Sequence, residues 1–355
     1  MKREEGVGSL ALIEVRDLSK EFRQHRRYPG ALGAIRTLFT REYTTRRAVG
    51  NVSFDIEQGE AVGYVGPNGA GKSTTIKMLT GILVPGSGSI RVNGLVPHKA
   101  RRENAKHIGV VFGQRSQLWW DLPVVDSFDL HKHIYHIPLA QYNKNLSFFT
   151  QLLSMEDFLQ VPVRQLSLGQ RMRAEIALAL LHDPDILFLD EPTIGLDITA
   201  KDSIRKFLHT VNRERQVTII LTTHDLSDIE EICSRLMIIN QGGLMYDGTI
   251  DALKAQLGTQ RKIMVEFAHD PGTIELSGAT LIRDDGQRKQ FQFDKTVSSA
   301  FDLLGALAEK YPIVDVSLEN TSIEEIIRTL YRGEDQQSNE KEQLDTWTRG
   351  RAVTH

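Results

Sequence analysis

Gly66-Pro67-Asn68-Gly69-Ala70-Gly71-Lys72-Ser73-Thr74 fits the pattern G-x-x-x-x-G-K-S/T. It stands directly after the apolar run Ala61-Val62-Gly63-Tyr64-Val65 and before a helical pattern. Strand, loop and helix in that order make a P-loop. Its glycines let successive backbone N–H groups turn inward onto phosphates, which also face the positive end of the following helix. Lys72 adds a charge that can reach the β- and γ-phosphates, and the Ser73 hydroxyl can hold Mg²⁺.

The rest of the chain limits what this loop can serve. Its 355 residues, 40% hydrophobic and 25% charged, suffice for one large and one small domain. A formal net charge of −3 gives no global positive excess that would favour nucleic acid. The single Cys233 and a start, Met1-Lys2-Arg3-Glu4-Glu5, without the apolar core of a signal peptide point to the cytosol. No apolar stretch approaches the ~20 residues of a membrane span, so a membrane role has to run through a partner or a surface contact.

Upstream of the loop, residues 11–16 and 52–56 read as strands, separated by an insertion over 23–47 that holds seven arginines and one acidic residue, Glu42. Leu32, Ile35, Leu38 and Phe39 recur there at helical spacing, with Arg36 and Arg41 on other faces. This short basic amphipathic helix either packs on its own domain or docks on a membrane partner or anionic headgroups. Downstream, the apolar runs 108–112, 186–189, 217–222 and 236–239 suit buried parallel strands, and their alternation with helical patterns predicts an α/β layered domain. Past residue 256 the pattern changes to short strands over 263–267, 280–283, 290–293 and 314–318 with helices over 297–310 and 323–331. The expected division is a nucleotide-binding domain over 1–256, a small α+β domain over 257–333 and a disordered polar tail over 334–355.

A second nucleotide element is Ile186-Leu187-Phe188-Leu189-Asp190-Glu191, an apolar strand ending in two carboxylates. Asp190 would face the Mg²⁺ held by Ser73, and Glu191 could accept a proton from an attacking water. Leu166-Ser167-Leu168-Gly169-Gln170 lies before a helix expected over 171–181, Ile194-Gly195-Leu196-Asp197 follows Glu191 within a turn, and His224 follows the strand ending Leu221-Thr222-Thr223. With these motifs in this order, residues 11–255 closely resemble the ATP-binding-cassette ATPases.

That resemblance implies a P-loop cassette fold, with a RecA-like core, a helical signature subdomain and an antiparallel β subdomain, followed here by the small C-terminal α+β domain. It implies ATP and Mg²⁺ as cofactors. Residues Gly66 to Thr74 take the phosphates, Ser73, Gln114 and Asp190 surround the metal, and Glu191, His224 and Gln114 serve catalysis. Gln117 is an alternative to Gln114, and Phe22, Tyr28 or Tyr43 takes the place of the aromatic that stacks on adenine. Asp197 is a further nucleotide-binding residue, and the signature residues Ser167, Gly169 and Gln170 belong to the site of a facing subunit, with Leu168 where the commonest signature has glycine. One P-loop and one signature per chain then require a head-to-tail pair, a second copy or a paralogous cassette.

The family resemblance is strongest to drug- and polysaccharide-export cassettes, which are chains separate from their membrane subunit. The expected function is ATP-driven coupling to a membrane permease, in the exporter branch by motif, at the cytoplasmic face of the membrane. The permease would dock near Gln114, Trp119 and Trp120, unless those tryptophans are core residues. The rival readings are a soluble cassette acting on ribosomes or nucleic acid, and an importer subunit. One cassette, with 95 residues from Lys72 to Ser167, argues against the first.

Overall fold

The computed structural model describes residues 11–25, 43–113 and 115–332. The expected helix within 32–39, Tyr28, Gln114 and the tail over 334–355 lie outside these residues. The chain divides into two compact units between Gly248 and Thr249.

In the first unit, three strands form an antiparallel sheet in the order β2-β1-β4: β1 (Ile13–His25), β2 (Tyr43–Ile56) and β4 (Ser87–Val92). A second sheet runs β5-β6-β7-β3-β8-β9, built from β3 (Ala61–Val65), β5 (Ile108–Phe112), β6 (Ile186–Asp190), β7 (Thr218–Thr222), β8 (Arg235–Asn240) and β9 (Gly243–Thr249). β3 pairs in parallel with β7 and β8, and β6 with β5 and β7. Every residue of β3 and β7 is buried, which is why these strands read as unbroken apolar runs rather than alternating ones. Both sheets share one core, in which Ile13, Val15, Val52 and Ile90 of the first meet Val62, Tyr64, Ile186 and Phe188 of the second.

Helices α1 (Lys72–Leu79), α2 (Arg101–His107), α3 (Val124–Ile134), α4 (Leu139–Leu152), α5 (Leu168–Leu180), α6 (Ile198–Arg215) and α7 (Leu226–Ile232) complete the unit. Two expectations need correction. The strands around the insertion continue to His25 and resume at Tyr43, so 23–25 and 43–47 are paired ribbon, with Phe22 opposite Arg46. Residues 43–47 are all exposed, and an exposed ribbon leaves no apolar period to read. The helix expected from Arg171 begins instead at Leu168, because Ser167 and Gln170 form a reciprocal capping box around its first turn.

The second unit holds α8 (Ile250–Leu257), the antiparallel sheet β11-β12-β10-β13, α9 (Ala300–Ala308) and a helical stretch over 323–332. Its strands are β10 (Gln260–Phe267), β11 (Ala279–Asp285), β12 (Arg288–Asp294) and β13 (Ile313–Asn320). One sheet face buries Ile263, Val265, Phe291 and Phe293 against Leu303 and Leu307 of α9. The sequence places the boundary between 256 and 257, but α8, capped by the Thr249 side chain, groups with this unit.

Three rings stack between α3 and the end of α5: His131 to Tyr135 at 4.7 Å and Tyr135 to His182 at 4.1 Å between centroids. Burial pulls both imidazoles down to about 4, and for His182 repulsion from His131 adds to it. In the unfolded chain they titrate at the ordinary value of 6.5. The unfolded state therefore binds more protons between about 4 and 6.5, so this stability is complete above the upper value and is lost as pH falls toward the lower. Thermal melts are expected to show Tm dropping on acidification through this window, with a flatter profile for His131→Phe. A Tm unchanged down to the lower value would remove the buried rings from the account.

Candidate active site

The P-loop runs from the carboxyl end of β3 into α1, and its glycines are where side chains will not fit. Gly71 has φ +109°, and a Cβ there would stand 2.3 Å from the Ala48 carbonyl oxygen; one on Gly66 would stand 2.4 Å from that of Ile239. Gly71 caps α1 without any side-chain bond, so the first-turn N–H groups remain available to an anion. Lys72 is buried. Its ammonium donates to the carbonyl oxygens of Gly66 at 2.5 Å and Pro67 at 3.3 Å. Burial lowers its pKa, while the charges of Glu191 and Asp190 act the other way.

The parallel register sets Asp190 beside Thr222. Its two carboxylate oxygens accept from Thr222 Oγ1 at 2.5 Å and Ser73 Oγ at 3.2 Å, which ties the end of β6 to the start of α1. Glu191 leaves the strand in the left-handed region, φ +56°, with its N–H held by Thr222 O at 2.8 Å. This turn aims the Glu191 side chain back across the sheet end, where Oε1 lies 2.7 Å from His224 Nε2. A cavity of about 350 Å³ opens here, lined by Ser73, Lys77, Phe112, Arg115, Asp190 and Glu191 among others.

Lys72, Ser73, Asp190, Glu191 and His224 thus converge. Ser167, Gly169, Gln170 and Asp197 form a second group, where the capped N-termini of α5 and α6 lie side by side. Leu168 Cδ2 stands 3.2 Å from the point a Cβ on Gly195 would occupy, and a Cβ on Gly169 would meet Ala200 Cβ at 3.0 Å. Asp197 accepts from Ala200 N at 2.7 Å. No hydrogen bond among the described residues joins this group to the P-loop. Phe22 sits on the β1–β2 ribbon with Lys20 Nζ 5.6 Å from its ring centre. Tyr43 pairs with His25 at the far end of that ribbon. Gln117 turns its side chain back to Val110 O, and its N–H donates to both oxygens of Glu175. Trp119 and Trp120 are 56% and 54% exposed, so neither is a core residue.

Sequence reasoning missed three residues that organise the site. Glu175 on α5 is buried and takes bonds from Ser116 Oγ and Gln117 N, joining the signature helix to the segment after residue 113. Its burial raises its pKa, against the hydrogen bond from Ser116. Asp228 on α7 joins Thr193 and Thr223, and Arg205 reaches it from α6. A carboxylate four residues after His224 was the available signal, but its partners are distant in sequence.

A parallel sheet with a P-loop, a carboxylate pair and a histidine at its carboxyl ends defines a P-loop nucleoside triphosphatase. The family model described as ABC transporter matches residues 49–194. The chain is 34% identical over 207 residues to the ABC transporter ATP-binding protein NatA of Bacillus subtilis (strain 168), covering 58% of this chain and 84% of NatA. It is 29% identical over 306 residues to the methionine import ATP-binding protein MetN of Latilactobacillus sakei subsp. sakei (strain 23K), covering 83% of this chain and 88% of MetN. A solved structure of cbiO1 from Clostridium perfringens, part of the ABC transporter complex cbiONQ, superposes with a TM-score of 0.56 at 26% identity, covering 69% of this chain and 91% of that one. The chain belongs to the ABC transporter family as an ATP-binding cassette, and it is an ATPase.

Proposed function

We propose that this chain is the energy-supplying subunit of a membrane transporter, bound peripherally at the cytoplasmic face through a separate permease. It works as a head-to-tail pair with a second copy or a paralogous cassette. The observation that carries the reading is the separation of two half-sites: Lys72, Ser73, Asp190, Glu191 and His224 on one face, and the Ser167–Gln170 and Asp197 caps bonded elsewhere. A facing chain supplies the missing half, so ATP holds the pair closed and its hydrolysis lets the pair open.

The Ser73 hydroxyl and the Asp190 carboxylate, 3.2 Å apart, are hard oxygen donors that fit Mg²⁺. The ion supplies charge neutralisation at the β- and γ-phosphates when bound. The chain's own residues do the rest: the P-loop N–H groups and Lys72 orient the phosphates, Glu191 takes a proton from the attacking water, and His224 fixes that carboxylate.

Among the described residues no helix is long and apolar enough to cross a membrane. The exposed Trp119 and Trp120, on the segment that Glu175 ties to the signature helix, fit a docking face for the permease. Motif likeness to separate-chain export cassettes supports export. Import has its own observation, since the match to MetN covers more of this chain than the first unit holds and must extend into the second.

Affinity capture of the chain from gently solubilised membranes is expected to bring down a polytopic protein, and Trp119→Ala with Trp120→Ala to release it while ATP binding persists. Recovery of ribosomes or nucleic acid in its place would replace the transport reading.

A further inference from the structure

We propose that Arg46 is a further nucleotide-binding residue, a guanidinium on β2 that closes on the phosphate chain of the nucleotide in the P-loop; the inference rests on the nucleotide site proposed above. β2 is fixed across that loop. The Ala48 carbonyl fills the space beside Gly71, Gly50 N donates to Gly242 O at 2.8 Å, and Gly242 N donates to Ala70 O at 3.1 Å. Between the Lys20–Val49 and Glu21–Arg47 pairs β2 carries one extra residue, Ala48, and this bulge turns the two neighbouring arginines to different surroundings. Arg47 folds along its own strand, where a Cβ on Gly50 would stand 2.2 Å from its Nε. Arg46 instead sets Nη2 3.0 Å from the point a Cβ on Gly69 would occupy, and no other atom comes within 4 Å of that point.

Arg46 also lacks an anion. Arg16, Arg164, Arg205, Arg215 and Arg235 each pair with an aspartate or glutamate, whereas among the described residues Arg46 has neither an ion pair nor a side-chain hydrogen bond. An exposed, unpaired guanidinium held beside a loop of inward-facing N–H groups adds a planar fork to the same anion site. Its cross-strand neighbour is Phe22. A nucleotide with its base at Phe22 and its phosphates in the P-loop therefore passes Arg46 on the way.

The test is calorimetric titration of ATP and ADP into the full chain, with competition by tripolyphosphate, for wild type, Arg46→Ala, Arg46→Lys and Arg47→Ala. The loss of a charge-assisted pair is expected to weaken both nucleotides and tripolyphosphate about tenfold or more in Arg46→Ala. Arg46→Lys should recover part of the loss, and Arg47→Ala should match wild type. In steady-state hydrolysis the rise in KM should exceed any fall in kcat. Wild-type affinity in Arg46→Ala overturns the proposal, as does a loss for ATP that tripolyphosphate does not share, which would place Arg46 on the base. A Lys72→Ala chain that still binds ATP normally would instead refute the underlying site.

Discussion

Glu191→Gln is expected to bind ATP as the wild-type chain does, to lose hydrolysis by roughly a hundred- to ten-thousandfold, and to accumulate as an ATP-bound dimer. The substitution is nearly isosteric. The left-handed backbone at Glu191 is held by its N–H to Thr222, and an amide side chain can still meet His224 Nε2 across the same 2.7 Å. What disappears is a carboxylate able to take a proton from water, a contribution made during reaction rather than in ATP binding. Because both halves of the composite site remain, ATP should still join two chains, and without turnover nothing reopens them. Phosphate release and light scattering in Mg-ATP check the two parts separately. A chain that loses turnover yet stays monomeric at saturating ATP would count against the composite site, whereas retained turnover would take the base role from Glu191.

The parts of this site legible in the sequence are those whose residues lie close together along the chain. The P-loop announces itself because glycine, lysine and hydroxyl must follow one strand within nine residues, and Asp190-Glu191 because they end a run of buried apolar residues. Which strands stand side by side was not legible. Only the parallel register of β6 and β7 brings Asp190 to Thr222, and with it Glu191 to His224. Arg46 was read as one arginine of a basic insertion, because its approach to Gly69 depends on how β2 crosses the P-loop. The signature segment was placed ahead of its helix, since Gly169 is a weak helix former in the first turn until Ser167 and Gln170 cap each other's backbone. The exposure of Trp119 and Trp120 likewise followed from packing and not from residue type, for adjacent aromatics suit a core as well as an interface.

Asp228→Ala is expected to cost about 3 kcal/mol and to lower Tm by roughly 6–12 °C, and also to impair turnover. Asp228 is 0% exposed, and its Oδ1 accepts from Arg205 Nε at 2.7 Å and lies 2.6 Å from Nη2 in the same ion pair. Its other oxygen accepts from Thr193 Oγ1 at 2.5 Å and Thr223 Oγ1 at 3.4 Å. Removal leaves a largely buried guanidinium without its nearest anion, although Glu231 at 3.1 Å retains part of the pairing. The two threonines matter for a different reason. Thr193 lies two residues beyond Glu191 and Thr223 directly precedes His224, so one buried carboxylate holds both turns from which the 2.7 Å contact is made. Stability and positioning can be separated. Replacing a buried ion pair with apolar side chains often restores stability, so Arg205→Met combined with Asp228→Leu is expected to regain much of the lost Tm. That double variant still cannot bind Thr193 and Thr223, and its kcat should stay low although Tm recovers. If kcat returns together with Tm, Asp228 serves the fold alone and the turns carrying Glu191 and His224 are held by the sheet.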